Sequence, residues 1–336
     1  EIHKAVKKDV GTEVVLHISE EAAEFLQPNR IKHLLDKYCK FLPVSIVFED
    51  KVVNDTAPIW TQAPSELQDE DYKAFYKALY PYAPEPLFWI HLNVDYPFNL
   101  TGVLYFPQAA SPFDQRKPQI QLYSKQVFIT DEVKGVVPEF LMLLHGIVDS
   151  PDIPLNVSRS ALQADSNVKK INTYITKKVA EKLETLFQED RAAYEKHWEN
   201  MAVFVKYGML TEEKFYEKAQ EFALLKNTQG SYFTLPAYQE QIRPTQTDKD
   251  EQLVMLYTTD SDKQDFYIQT CKKQGYDVLV LDLPIDKHFV GLLEQKLDKT
   301  RLKGVDSDHI GQLIAKGTTA EHTLSEEQQK QLQAVY

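Results

Sequence analysis

The chain has 336 residues, a length that suggests about two or three domains at roughly 100–200 residues each. Apolar residues make up 43% and charged residues 26%, ordinary globular values with ample side chain for a core. Fifty acidic against 38 basic side chains give a net charge of −12. That argues against general nucleic-acid binding, which needs a basic surface to neutralise phosphate. Cys39 and Cys271 lie too far apart in sequence to indicate a disulfide scaffold or an all-cysteine metal site. No run approaches the ~18 apolar residues of a membrane span. The opening Glu1-Ile2-His3-Lys4 does not read as a signal peptide, and the lack of an initiator Met suggests a fragment or a processed chain.

In chain order, the β-branched and apolar run at 11–19 predicts a strand, and Ser19 followed by Glu20 and Glu21 predicts a helix start. Residues 29–41 predict a helix with Ile31, Leu34, Leu35 and Tyr38 on one side, and 44–49 a short strand. A polar stretch, 50–64, carries Trp60. Residues 69–80 predict a helix, followed by strands at 87–94, 101–106, 119–123 and 126–130. The apolar run 136–145 predicts a further helix. Residues 166–188 give the clearest helical pattern, with Val168, Ile171, Ile175, Val179, Leu183, Leu186 and Phe187 mostly three or four apart. Lysines at 169, 170, 177, 178 and 182 mark its wet face. Helices continue over 190–227. Strand 252–257, helix 261–274 and strand 277–283 then make a βαβ unit, which favours a parallel pair, with Gly275 where a C-cap glycine belongs.

Eleven glycines are under half the usual ~7%, and the nearest two are six apart. There is therefore no dinucleotide fingerprint, P-loop or Gly-x-Ser-x-Gly elbow, each of which needs closely spaced glycines to bring backbone amides to a phosphate or oxyanion. The nine histidines never fall at metal-ligand spacing, and acidic clusters such as 66–71 read as solvated helix faces. Nothing here supports catalysis by this chain alone.

One segment, Gly146 to Gln163, stands apart. Pro151 and Pro154 stiffen it and forbid a helix. Asn156, Ser158, Arg159 and Gln163 are polar groups between two apolar stretches. The plain reading is a helix-capping region, with Ser158 or Ser160 as cap and Arg159 in solvent. The sharper reading is a stiff loop presenting one guanidinium, a permanently charged planar fork suited to phosphate oxygens. The residues alone leave both open.

That segment, Gly-Ile-Val-Asp-Ser-Pro-Asp-Ile-Pro-Leu-Asn-Val-Ser-Arg-Ser-Ala-Leu-Gln, resembles the middle-domain catalytic loop of the heat-shock protein 90 chaperones. Other stretches resemble the family in the same order. They are the run beginning Gly11-Thr12-Glu13-Val14 with Arg30-Ile31-Lys32-His33, then Pro58-Ile59-Trp60-Thr61, Ser111-Pro112-Phe113-Asp114 and Gln126-Val127-Phe128-Ile129. Coverage runs from about residue 10 to 300. The absence of a long charged linker near 50–57 is similar to the bacterial form, and organellar forms stay open.

The resemblance implies an α/β fold in pieces. Residues 1–52 would be the end of an N-terminal ATPase domain and linker. Residues 53–190 would form a large subdomain like ribosomal protein S5 domain 2. A helical connector over 191–250, a small α/β subdomain over 251–304 and the start of a C-terminal dimerisation domain over 305–336 would follow. Arg159 falls on the family's arginine that reaches the γ-phosphate of ATP, and Gln163 on its helper glutamine; Asn156 and Ser158 would hold the loop. Trp60, Trp89 and Phe113 are candidates for client-protein contact, with core packing as the plainer reading. The parent would be a cytoplasmic, homodimeric, ATP- and Mg2+-dependent chaperone. This piece would lack activity by itself and bind no nucleic acid or membrane. A protein-interaction scaffold with no part in hydrolysis is the alternative.

Overall fold

The structure is a computed structural model that describes residues 10–108, 119–153, 166–307 and 314. The chain enters through an irregular stretch at 11–18, where a strand is expected. No strand pairs with it among the described residues, and Val14, Val15 and Leu16 stand open to solvent. A 3-10 helix, Glu20–Leu26, precedes α1 (Pro28–Tyr38) and a two-residue hairpin of β1 (Val47–Phe48) and β2 (Lys51–Val52). Two 3-10 turns, Ile59–Thr61 and Pro64–Glu66, lead to α2 (Asp69–Leu79), which begins with a capping box between Gln68 and Asp71.

The main sheet follows, with β3 (Phe88–Val94), β4 (Leu100–Phe106), β5 (Gln119–Ser124), β6 (Val127–Thr130) and β7 (His145–Asp149). Its order is β3-β4-β7-β5-β6, and only the β7–β5 pair is parallel. The helix expected over 136–145 is instead a 3-10 turn, Glu139–Leu141, and the start of β7. Strand β7 lies inside the sheet with both faces covered, so its residues are all buried and show no alternation that would betray a strand. Gly146 has φ +136°, and a Cβ there would collide with the Val103 carbonyl oxygen of β4.

Alternate residues serve two cores. Leu104, Ile120, Leu122 and Val148 face one side, and Val103, Tyr105, Tyr123 and Ile147 face the other. The first side is covered by α3 (Ser166–Glu189) and α4 (Arg191–Thr211). Val168, Ile171, Ile175, Val179 and Leu183 of α3 are buried there, at roughly 1.5–3 kcal/mol each, while Leu186 and Phe187 are half-buried. The second side is covered by α2 and an aromatic group, Phe41, Trp60, Phe75 and Tyr76.

Beyond α4 come α5 (Glu213–Ala219), the hairpin β8 (Leu224–Lys226) and β9 (Tyr232–Thr234), and α6 (Leu235–Gln246). A smaller sheet then forms from β10 (Leu253–Thr258), α7 (Asp265–Lys273), β11 (Val278–Val280), α8 (Asp286–Lys296) and β12 (Thr300–Gly304). Both β11 and β12 run parallel to β10, which lies between them. Gly275 (φ +78°) ends α7: its N–H donates to Lys272 O and the Tyr276 N–H to Cys271 O, the paired bonds of a left-handed helix stop. The first core continues from the main sheet through α4 to the underside of the small one, where Lys206 Nζ meets Asp286 Oδ1 at 2.5 Å, both buried.

Candidate functional site

The described residues end at Ile153 on one side of the Arg-bearing segment and resume with α3 on the other. Asn156, Ser158, Arg159 and Gln163 therefore lie outside the described residues, as does Phe113. What the structure does describe is the root of that segment, built at the C-terminal end of β7.

Three elements converge there. Asp149, the last residue of β7, is buried, and its Oδ2 accepts from Trp60 Nε1 at 3.2 Å and from Gln126 N at 2.9 Å. Trp60 has no exposed surface; its ring packs 4.7 Å from that of Phe41 and 5.6 Å from that of Tyr123, centroid to centroid. Gln126 belongs to the β5–β6 turn, where Lys125 (φ +51°) and Gln126 (φ +64°) are both left-handed, as a tight two-residue hairpin requires. The turn aims the Gln126 N–H at the carboxylate. Burial pushes the Asp149 carboxyl above the usual range, and the donors from Gln126, Trp60 and Lys125 oppose that shift without cancelling it.

The next residues are fastened on both flanks. The Ser150 N–H donates to Tyr123 O at 3.1 Å, and its hydroxyl donates to Asn99 O at 2.6 Å. Asp152 Oδ2 accepts from Asn99 N at 2.6 Å and from Asn99 Nδ2 at 3.2 Å. Asn99 immediately precedes β4, so the clasp ties the segment's root to the neighbouring strand. Ile153 is buried in the core that also holds Val168 of α3. Both described ends of the intervening stretch are thus anchored in one core. A concavity of about 260 Å³ opens beside the root, lined by Thr61, Asn99, Thr101, Lys125 and Asp149 among others.

The two candidate tryptophans part company. Trp60 is an interior residue here. Trp89 on β3 is half-buried and stacks on Tyr72, ring centroids 5.2 Å apart. Sequence reasoning did not single out Asn99, Asp149 or Asp152. A carboxylate following an unbroken apolar strand was the available signal for Asp149. For Asn99 no local signal exists, since its partner is 53 residues away. Among the described residues no group of three His, Cys, Asp or Glu could hold a metal ion.

The fold and the loop root define a middle segment of an Hsp90-type protein: the Hsp90 protein family model matches residues 44–336, and the chain belongs to that family. It is 52% identical over 350 residues to the chaperone protein HtpG of Bacteroides fragilis, a match covering 100% of this chain and 51% of that one. It is 52% identical over 340 residues to HtpG of Porphyromonas gingivalis, covering 97% and 50% of the two chains. The chain spans about half the length of the curated relatives it matches. The middle domain of a Plasmodium falciparum heat shock protein shares the fold, with a TM-score of 0.56 at 24% identity, covering 75% of this chain and 100% of that one.

Proposed function

We propose that this chain is the middle segment of an ATP-dependent chaperone of the HtpG kind, and that Arg159 reaches the γ-phosphate of ATP held by a preceding N-terminal domain. There the guanidinium neutralises charge on the transferring phosphoryl group, an effect worth about 10³–10⁵ in rate for arginines so used. Gln163 assists near the same phosphate, and Asn156 and Ser158 hold the loop. ATP and Mg2+ belong to the parent protein's N-terminal site. The pieces are those the resemblance implies, with 53–190 as the large subdomain, 191–250 as connector, 251–304 as small subdomain, and 1–52 and 305–336 as the ends of flanking domains. The parent works as a cytoplasmic homodimer on client proteins, with Trp89 and Phe113 the candidate client contacts.

The observation that carries this reading is the root at 149–153. A buried carboxylate, a buried serine and the Asn99 clasp fix the direction in which the chain leaves the sheet. A group that must meet a phosphate from another domain needs such an anchored base, because small misplacements are costly in rate.

In the full-length protein, Arg159→Ala is expected to lower ATP turnover about 10³-fold or more while nucleotide affinity stays the same. Turnover equal to the parent's would favour the interaction-scaffold reading instead. The 1–336 chain alone, given ATP, is expected to release no phosphate above blank.

A further inference from the structure

We propose that Asp152, acting with Ser150 and Asn99, is a positioning residue for ATP hydrolysis, an inference that rests on the Arg159 reading. Asp152 lies seven residues before Arg159 and does not itself reach the phosphate. Its Oδ2 takes two hydrogen bonds from a single residue, the backbone N–H (2.6 Å) and the side-chain amide (3.2 Å) of Asn99. The Ser150 hydroxyl closes the ring by donating to Asn99 O at 2.6 Å, and the Asp152 N–H donates back to Ser150 Oγ at 3.3 Å.

A carboxylate accepting charge-assisted bonds is the stronger kind of fastening. Its placement is informative. Asp149 already holds the end of β7, and Ile153 is already buried in the core. The Asn99 clasp adds a second fixed point between them on the partly exposed side, where the fold needs none for burial. Two fixed points define a direction, whereas one leaves a pivot. The clasp therefore sets the heading of the chain as it departs toward Arg159. Rate depends on this heading far more than nucleotide binding does, since the arginine is used only in the transition state.

The test is a double-mutant cycle on ATP turnover in the full-length chaperone. Asp152→Ala is expected to lower kcat about 10–100-fold with KM for ATP unchanged. Asp152→Asn keeps a side-chain oxygen for the Asn99 N–H and should retain most of the rate. With Arg159→Ala already present, adding Asp152→Ala should cost nothing more. Should Asp152→Ala fail to fold, Ser150→Ala removes only a hydroxyl and runs the same cycle. Full multiplication of the two effects, or a parent-like kcat in Asp152→Ala when Arg159→Ala is slow, would overturn the positioning role and leave the arginine reading intact. A parent-like kcat in Arg159→Ala would instead remove the reading on which both rest.

Discussion

Trp60 and Asp149 stand 89 residues apart in sequence and meet in the interior, indole Nε1 donating to a carboxylate oxygen at 3.2 Å. The tryptophan thereby does two things at once. Its ring fills the aromatic core above the sheet, and its one polar atom meets the one charge at the end of the central strand.

Replacing Trp60 with Phe keeps much of the packing and deletes the donor. A buried acceptor deprived of a bond to a charged group should cost about 1.5–3 kcal/mol, read as a lower urea midpoint with an unchanged slope. A midpoint equal to the parent's would mean the bond contributes nothing.

The raised carboxyl of Asp149 gives a pH signature. Its folded pKa lies above its unfolded value, so between the two the native state binds more protons. This group's contribution to stability must then rise as pH falls through the folded pKa toward about 4, and lie at its lowest near neutrality. Unfolding free energies measured across that range, parent minus Asp149→Asn, should drift in the parent's favour on acidification. A difference independent of pH would contradict the shift.

Gly146→Ala sets a Cβ against the Val103 carbonyl at a left-handed φ. Backbone cannot yield as a flexible side chain can. The expected loss exceeds ~2 kcal/mol, visible as a marked drop in Tm. An unaltered melting curve would show that β4 and β7 can separate freely.

The buried pair Lys206–Asp286 joins α4 to α8. Lys206→Met strands a charge and should destabilise by about 3–5 kcal/mol, whereas Lys206→Met with Asp286→Leu should recover most of that loss. Equilibrium denaturation of the single and double variants compares the two. A double variant as weak as the single one would mean that packing, rather than the lone charge, sets the cost.

Much of this architecture was legible in the sequence because its elements obey simple periods. Helix α3 shows its stripe of apolar residues at steps of three and four, and strands β3 to β6 fall within a residue or two of their expected places. The failures have physical causes. Strand β7 is apolar throughout, so period alone could not separate it from a helix. Residues 11–18 carry strand-forming side chains, yet a strand needs a partner and none is described beside them. The pair α8 and β12 passed unread. At the site, the motif pointed to Gly146–Gln163, while Asn99 and Trp60 became visible only once the sheet brought them against Asp152 and Asp149.

The Tyr80 hydroxyl accepts from the Gly146 N–H at 2.9 Å and donates to Gln119 O at 2.6 Å. A phenol from outside the sheet thus bridges β5 and β7 near their start, the end of β7 opposite the anchored root. Strain arriving at α2 would be relayed along a single strand to its far tip, making that strand a stiff rod with a handle at one end and the arginine's tether at the other.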